Sequence, residues 1–114
     1  PDLPAVYTKD KALADDLTLT GEDVADPIWH MPLWPRYERW LSSSVADLSH
    51  ISSQPFAGSI TAALFLQRFV ENARSYAHYD VYAWNAEARP GRPKGGEAQG
   101  IRALYQWLCV RYGD

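Results

Sequence analysis

A single cysteine, Cys109, stands in 114 residues, so no internal disulfide can form and the chain suits a reducing compartment. Long apolar runs are also missing. The longest, Ile60 to Leu66 with Thr61 inside it, is far short of the roughly 20 residues that cross a bilayer, which excludes a membrane partner. Positive charge is neither abundant nor gathered: Lys and Arg are scattered through a chain of net charge −3, which excludes the basic footprint of a nucleic-acid binder. The opening Pro1-Asp2-Leu3-Pro4 has no initiator methionine, basic n-region or apolar h-region. It reads as the start of a piece of a longer polypeptide rather than as a leader. Cys-x-x-Cys, His-Glu-x-x-His, Gly-x-Ser-x-Gly and phosphate-loop patterns are all lacking, so the residues alone disclose no complete active site.

What is present describes one folded domain. Apolar residues at 46% and charged residues at 22% are too apolar a mixture for disorder, and the length suits a single core. Five Trp, seven Tyr and three Phe are many for this size. Some of these rings are expected on surfaces that a longer chain or another subunit covers.

Along the chain, Ala5-Val6-Tyr7 reads as the end of a strand, and Thr8 as a cap for a helix carrying Asp10, Ala12, Leu13 and Leu17, with Gly21 as its stop. Pro27, Pro32 and Pro35 deny regular hydrogen bonding to an apolar segment around Trp29 and Leu33, which is expected to lie extended on the core. A helix starting at Pro35 then shows Tyr37, Trp40 and Leu41 on one face. Val45 to Ile51 alternates like a strand. From Gly58 to about Val70 a helix apolar around most of its circumference predicts burial on all sides. Tyr76 to Ala83 has the character of an interior strand, with His78, Asp80 and Tyr82 on one face. Residues 86–96 read as a long basic loop, and Ile101, Leu104, Tyr105, Leu108 and Tyr112 mark a final helix. The order of elements predicts an α/β fold: a partial sheet of about three strands flanked by helices, its 45–51 and 76–83 strands joined by a right-handed crossover.

Among residues that could carry chemistry, His78 and Asp80 share a strand face as a base-and-orienter pair or metal half-site would, although a structural tie is the commoner use of such a histidine. His30 and His50 have no ligand-spaced partners. Gly95-Gly96 could present backbone N–H groups to an anion, or simply join a loop to a helix. Arg89, Arg92 and Lys94 read as solvated, and Trp29, Trp34, Tyr37 and Trp40 as core or interface.

Several phrases together resemble the leucyl (cytosol-type) aminopeptidase family: Pro27-Ile28-Trp29-His30-Met31-Pro32-Leu33, Ser44-Val45-Ala46-Asp47-Leu48, Ala57-Gly58-Ser59-Ile60-Thr61-Ala62-Ala63-Leu64-Phe65-Leu66 and Ala77-His78-Tyr79-Asp80-Val81. Their order matches the C-terminal portion of that family's single zinc-exopeptidase-like catalytic domain over nearly the whole chain. The resemblance implies a cytoplasmic, usually hexameric enzyme that removes N-terminal residues from peptides with two divalent ions, zinc or manganese. In such a site the metal pair polarises the scissile carbonyl and supplies a hydroxide. The family's Asn-Thr-Asp-Ala-Glu-Gly-Arg ligand phrase is not in this sequence, so no catalytic or metal residue is assigned and no metal is expected on these residues alone. The resemblance does place Ile51, Tyr82 and Asn85 in the wall of the pocket for the substrate's N-terminal side chain. Better known members have small or apolar residues there, so a narrower or more polar pocket is expected. The alternative is a stand-alone α/β assembly or protein-binding module derived from such an enzyme.

Overall fold

The computed structural model describes residues 2–113. Strand β1 (Ala5–Tyr7) leads into helix α1 (Lys11–Asp23), followed by β2 (Trp29–Met31), a 3-10 helix (Pro35–Leu41), α2 (Gly58–Gln67), β3 (His78–Asp80), the short strands β4 (Trp84–Asn85) and β5 (Gly95–Gly96), and α3 (Ile101–Tyr112). The main sheet has the order β2-β1-β3, with β1 parallel to β2 and antiparallel to β3. This is the expected α/β arrangement of three strands between helices.

Alternation along β1 divides the core in two. Tyr7 points to one face, where it packs with Leu33, Leu41, Ala63 and Leu64 under α2 and the 3-10 helix. Val6 points to the other, where Leu17, Ile28, Tyr79 and Trp107 meet between α1 and α3. Burying each of these large side chains is worth about 1.5–3 kcal/mol.

Several boundaries differ from the sequence reading for local reasons. The N-cap of α1 is Asp10 rather than Thr8: its carboxylate accepts from Leu13 N–H at 3.0 Å and from the Ser75 hydroxyl, while Thr8 Oγ1 accepts from Asp10 N–H. Those bonds, Ser75 first, hold the Asp10 carboxyl below its ordinary range. Gly21 does not stop α1. It lies inside the last turn, where an added Cβ would meet Asp26 O at 2.7 Å.

No strand forms over 45–51, and Val45 is 94% exposed. Serine hydroxyls turn the backbone instead: Ser43 Oγ accepts from Val45 and Ala46 N–H, Ser49 Oγ from Ile51 N–H, and Ser52 Oγ from Gln54 N–H. The predicted crossover is therefore absent. The 76–83 strand shortens to β3 and lies at an edge of the three-stranded sheet rather than inside it. Helix α2 ends at Gln67, and only Thr61, Ala63 and Leu64 along it are buried, so its apolar circumference is half open. Helix α3 likewise buries Ala103 and tucks Trp107 inward, while Ile101, Tyr105 and Tyr112 face outward.

The shape agrees with these open faces. The chain measures 49 × 37 × 18 Å with a radius of gyration of 15.9 Å, against about 13 Å for a compact domain of this length. Its accessible surface is 8024 Å², where a folded monomer of this mass exposes about 6,300 Å². It is a thin slab with unspent apolar surface. Among the described residues no helix is long and apolar enough to cross a membrane.

Candidate functional site

Where β3 ends, the side chains of Trp29, Ala5 and Asp80 lie in one register row across the sheet, on the face that α2 covers. With Val81, Tyr82 and Ser59 they line a groove of about 400 Å³. Asp80 Oδ2 stands 4.0 Å from His78 Nε2, so the pair sits at the outer limit of an ionic contact. The hydroxyls of Tyr7 and Ser59 share one hydrogen bond beside it.

Beyond Tyr82 the chain turns sharply at Ala83, whose φ of 56° lies in the left-handed region that a Cβ disfavours. Both of its backbone groups are tied down, the N–H to Gln99 Oε1 and the carbonyl to Glu97 N–H, each at 3.0 Å. The 86–96 stretch is then an ordered hairpin rather than a loose loop. Arg89 and Arg92 exchange backbone hydrogen bonds at 2.8 Å, and both guanidinium groups reach Glu97 at 3.2 Å. The basic loop is thus internally paired at two of its three cations.

The pocket residues implied by the resemblance take different positions. Tyr82 is 64% exposed and forms part of the groove. Asn85 is buried under the hairpin, its amide donating to the carbonyls of Arg92 and Pro93 at 2.9 Å each. Ile51 is 67% exposed in the irregular segment before α2, outside that groove. His30 Nε2 meets Thr8 O at 3.2 Å, and His50 borders a small apolar hollow with Leu41 and Phe65.

Gly95-Gly96 belongs to β5, away from the start of α3. That helix end is already occupied by a carboxylate: Asp26 Oδ1 accepts from Gly100 N–H at 2.9 Å and Oδ2 from Ala103 N–H at 3.0 Å. No sequence signal marks Asp26 for this role, because its partners are remote in the chain. Alongside, the Tyr79 ring packs on Gly100, and its buried hydroxyl has no hydrogen-bond partner among the described residues. Burial, helped by the Asp26 charge, pushes that phenol up to about 12. Tyr79→Phe is expected to leave stability unchanged or raise it by about 1 kcal/mol, because an unpaired buried hydroxyl costs more than it contributes. Urea unfolding checks this, and a loss of stability would show that the hydroxyl is satisfied.

Among the described residues no group of three or more His, Cys, Asp or Glu side chains converges as a metal site would require. Asp10 spends its oxygens on the start of α1 and the Ser75 hydroxyl, Asp26 spends both of its own on the start of α3, and His78 with Asp80 offers two donors at most. The donor set does not fit a pair of divalent ions.

A sequence model of the catalytic domain of the cytosol aminopeptidase family matches residues 1–105. A probable cytosol aminopeptidase of Geobacter sulfurreducens is 43% identical over 105 residues, covering 90% of this chain and 21% of that protein. One from Chromobacterium violaceum is 41% identical over 108 residues, covering 93% and 20%. Among solved structures, the cytosol aminopeptidase from Coxiella burnetii superposes with a TM-score of 0.90 at 46% identity, over 98% of this chain and 24% of that one. The bottromycin maturation enzyme BotP, solved in complex with Mn, gives 0.80 at 32% identity over 96% and 25%. The chain spans about a fifth of the length of the curated relatives it matches.

Proposed function

The chain belongs to the cytosol aminopeptidase family, matching the C-terminal part of its catalytic domain, and from this we propose that it works within a cytoplasmic metalloaminopeptidase that removes N-terminal residues from peptides. The observation that carries the reading is the superposition on the Coxiella burnetii enzyme, which spans almost every residue at an identity well above that needed for fold alone. Two divalent ions, zinc or manganese, would be held by a preceding part of the protein. Among the described residues the donors are too few and too dispersed to hold them.

This part's share of the work is threefold. It supplies scaffold, it contributes to the pocket wall, for which the resemblance names Ile51, Tyr82 and Asn85 and in which Tyr82 faces the groove while Asn85 braces the hairpin behind it, and it offers surface for the rest of the domain and for the other subunits of a hexamer. The unspent apolar area of the slab supports the last of these. The rigid hairpin supports the second, since Asn85 and the Glu97 ion pairs fix the segment that carries Tyr82.

A hybrid tests the proposal. The matching part of the Coxiella burnetii enzyme is replaced by this chain, and leucine-anilide hydrolysis and bound metal are measured. The hybrid is expected to hydrolyse the anilide and to carry metal, while the 114 residues alone do neither. A folded, metal-loaded hybrid without peptidase activity would favour the non-catalytic assembly module instead. Within an active hybrid, Tyr82→Ala is expected to shift the kcat/KM ratio of bulky over small aminoacyl anilides by about tenfold, the scale on which pocket volume discriminates. An unchanged ratio removes Tyr82 from the pocket.

A further inference from the structure

We propose that Gln99 is a positioning residue for substrate selectivity: its side chain holds the left-handed turn at Ala83 and so fixes the direction in which the preceding residue, Tyr82, enters the pocket wall. The proposal rests on the aminopeptidase reading above and identifies what sets the selectivity of the same site. The bonds that carry it are internal to this chain and owe nothing to how much of its surface is open.

The turn needs support from outside itself. β3 ends at Asp80 and β4 begins at Trp84, so Val81, Tyr82 and Ala83 fall between strands. Ala83 has φ 56°, a conformation that a residue with a Cβ avoids unless its surroundings impose it. Relaxation to the right-handed region would swing φ through roughly 120°. β4 is paired with β5, and Asn85 is bonded to the hairpin carbonyls, so the rotation would be taken up on the other side, by Tyr82.

Two hydrogen bonds prevent it. The Ala83 carbonyl accepts from Glu97 N–H, one residue beyond the Trp84 and Gly96 pair. The Ala83 N–H donates to Gln99 Oε1 at 3.0 Å. The first bond joins main chain to main chain and survives a change of side chain. The second exists only because residue 99 carries an acceptor at that reach.

Gln99 is itself firmly planted. Two residues before it, the Glu97 carboxylate takes the guanidinium groups of Arg89 and Arg92, and the Glu97 side chain is only 10% exposed. Directly after it, Gly100 N–H is held by Asp26 at the start of α3. Arg92 also donates to the Ala25 carbonyl, which ties the hairpin to the segment leading into β2. The backbone at residue 99 therefore stands between two anchors, and the side chain carries that fixed position across to Ala83. A strained alanine beside a pocket residue, held by a side chain from another segment, is the pattern in which backbone strain serves a site.

The experiment uses the hybrid enzyme with two variants. Gln99→Met keeps the length of the side chain and loses the acceptor, whereas Gln99→Glu keeps the acceptor. Gln99→Met is expected to shift the kcat/KM ratio of bulky over small aminoacyl anilides by about threefold, in the same direction as Tyr82→Ala, and Gln99→Glu to restore the wild-type ratio. In a Tyr82→Ala background Gln99→Met should shift the ratio no further, because the ring through which it acts is gone. Deuterium uptake by the 82–85 stretch, followed by mass spectrometry, is expected to quicken about tenfold in Gln99→Met and to stay slow in Gln99→Glu. An unchanged ratio in Gln99→Met, an equal shift with and without the Tyr82 ring, or uptake as slow as in the wild type overturns the inference and leaves the aminopeptidase reading standing. No hydrolysis of any anilide by a folded, metal-loaded hybrid overturns both. Should Gln99→Met not fold, Gln99→Asn replaces it, since its amide stops one methylene short of Ala83. Should the hybrid itself not fold, uptake is compared in the 114-residue chain, and equal rates in wild type and Gln99→Met overturn the proposal.

Discussion

Asp26→Ala is expected to destabilise the chain by about 3 kcal/mol, a large fraction of the roughly 5–15 kcal/mol that holds a domain folded. The carboxylate is buried and each oxygen serves one backbone N–H at the start of α3. Truncation removes a helix cap, worth about 1 kcal/mol, and strands Gly100 and Ala103 N–H in a site that water reaches poorly, at about 1–3 kcal/mol more. The same corner joins three elements, because Arg92 of the hairpin and Arg102 of α3 both donate to the neighbouring Ala25 carbonyl, at 2.8 and 2.9 Å. Asp26→Asn keeps one acceptor and should cost about half as much. Urea unfolding of the two variants gives the comparison, and equal midpoints for wild type and Asp26→Ala would dismiss the cap.

Gly100→Ala should cost about as much, through a different term. Gly100 has φ +80°, a conformation that costs a residue with a Cβ about 1 kcal/mol or more. The new methyl would also sit 2.6 Å from Cδ1 and 2.7 Å from Cε1 of Tyr79, mid-ring atoms of a side chain packed among Val6, Leu17 and Trp107. Ring and methyl cannot both keep these positions, so overpacking adds about 1–3 kcal/mol. Combining Gly100→Ala with Tyr79→Ala separates the two contributions. Clash relief would recover part of the loss relative to the sum of the single variants, while the backbone strain would remain. Strict additivity would deny the contact.

The elements that local pattern could announce were legible. β1, α1, the Pro35 helix and α3 all lie where periodicity and capping put them, within two or three residues. The errors share a cause. In 45–51 the alternation of apolar and polar residues is loose, and the hydroxyls of Ser43 just before it and Ser49 within it compete for the backbone and dissolve the ladder. Along α3 the spacing shows which face seeks burial, yet says nothing of what buries it. This chain offers Ala103 and Trp107 to its own core and leaves Ile101 and Tyr105 outward. The Asp26 cap was invisible because both hydrogen-bond partners lie on a helix near the other end of the sequence. Of the proposed pocket residues Ile51, Tyr82 and Asn85, none was readable from composition or spacing; they came from resemblance. Only the coordinates show that Asn85 braces the hairpin while Tyr82 faces the groove.

The centre of the main sheet is made before either strand that flanks it. β1 pairs on one side with β2, soon after it, and on the other with β3, far later in the sequence. At a synthesis rate of about 5–20 residues per second, one margin of β1 stays open for seconds before its mate leaves the ribosome. During that interval Val6 and Tyr7 can be shielded from only one direction. The nascent polypeptide therefore passes through an aggregation-prone interval between the emergence of β1 and that of β3, and slowing elongation between α2 and β3 should lengthen it.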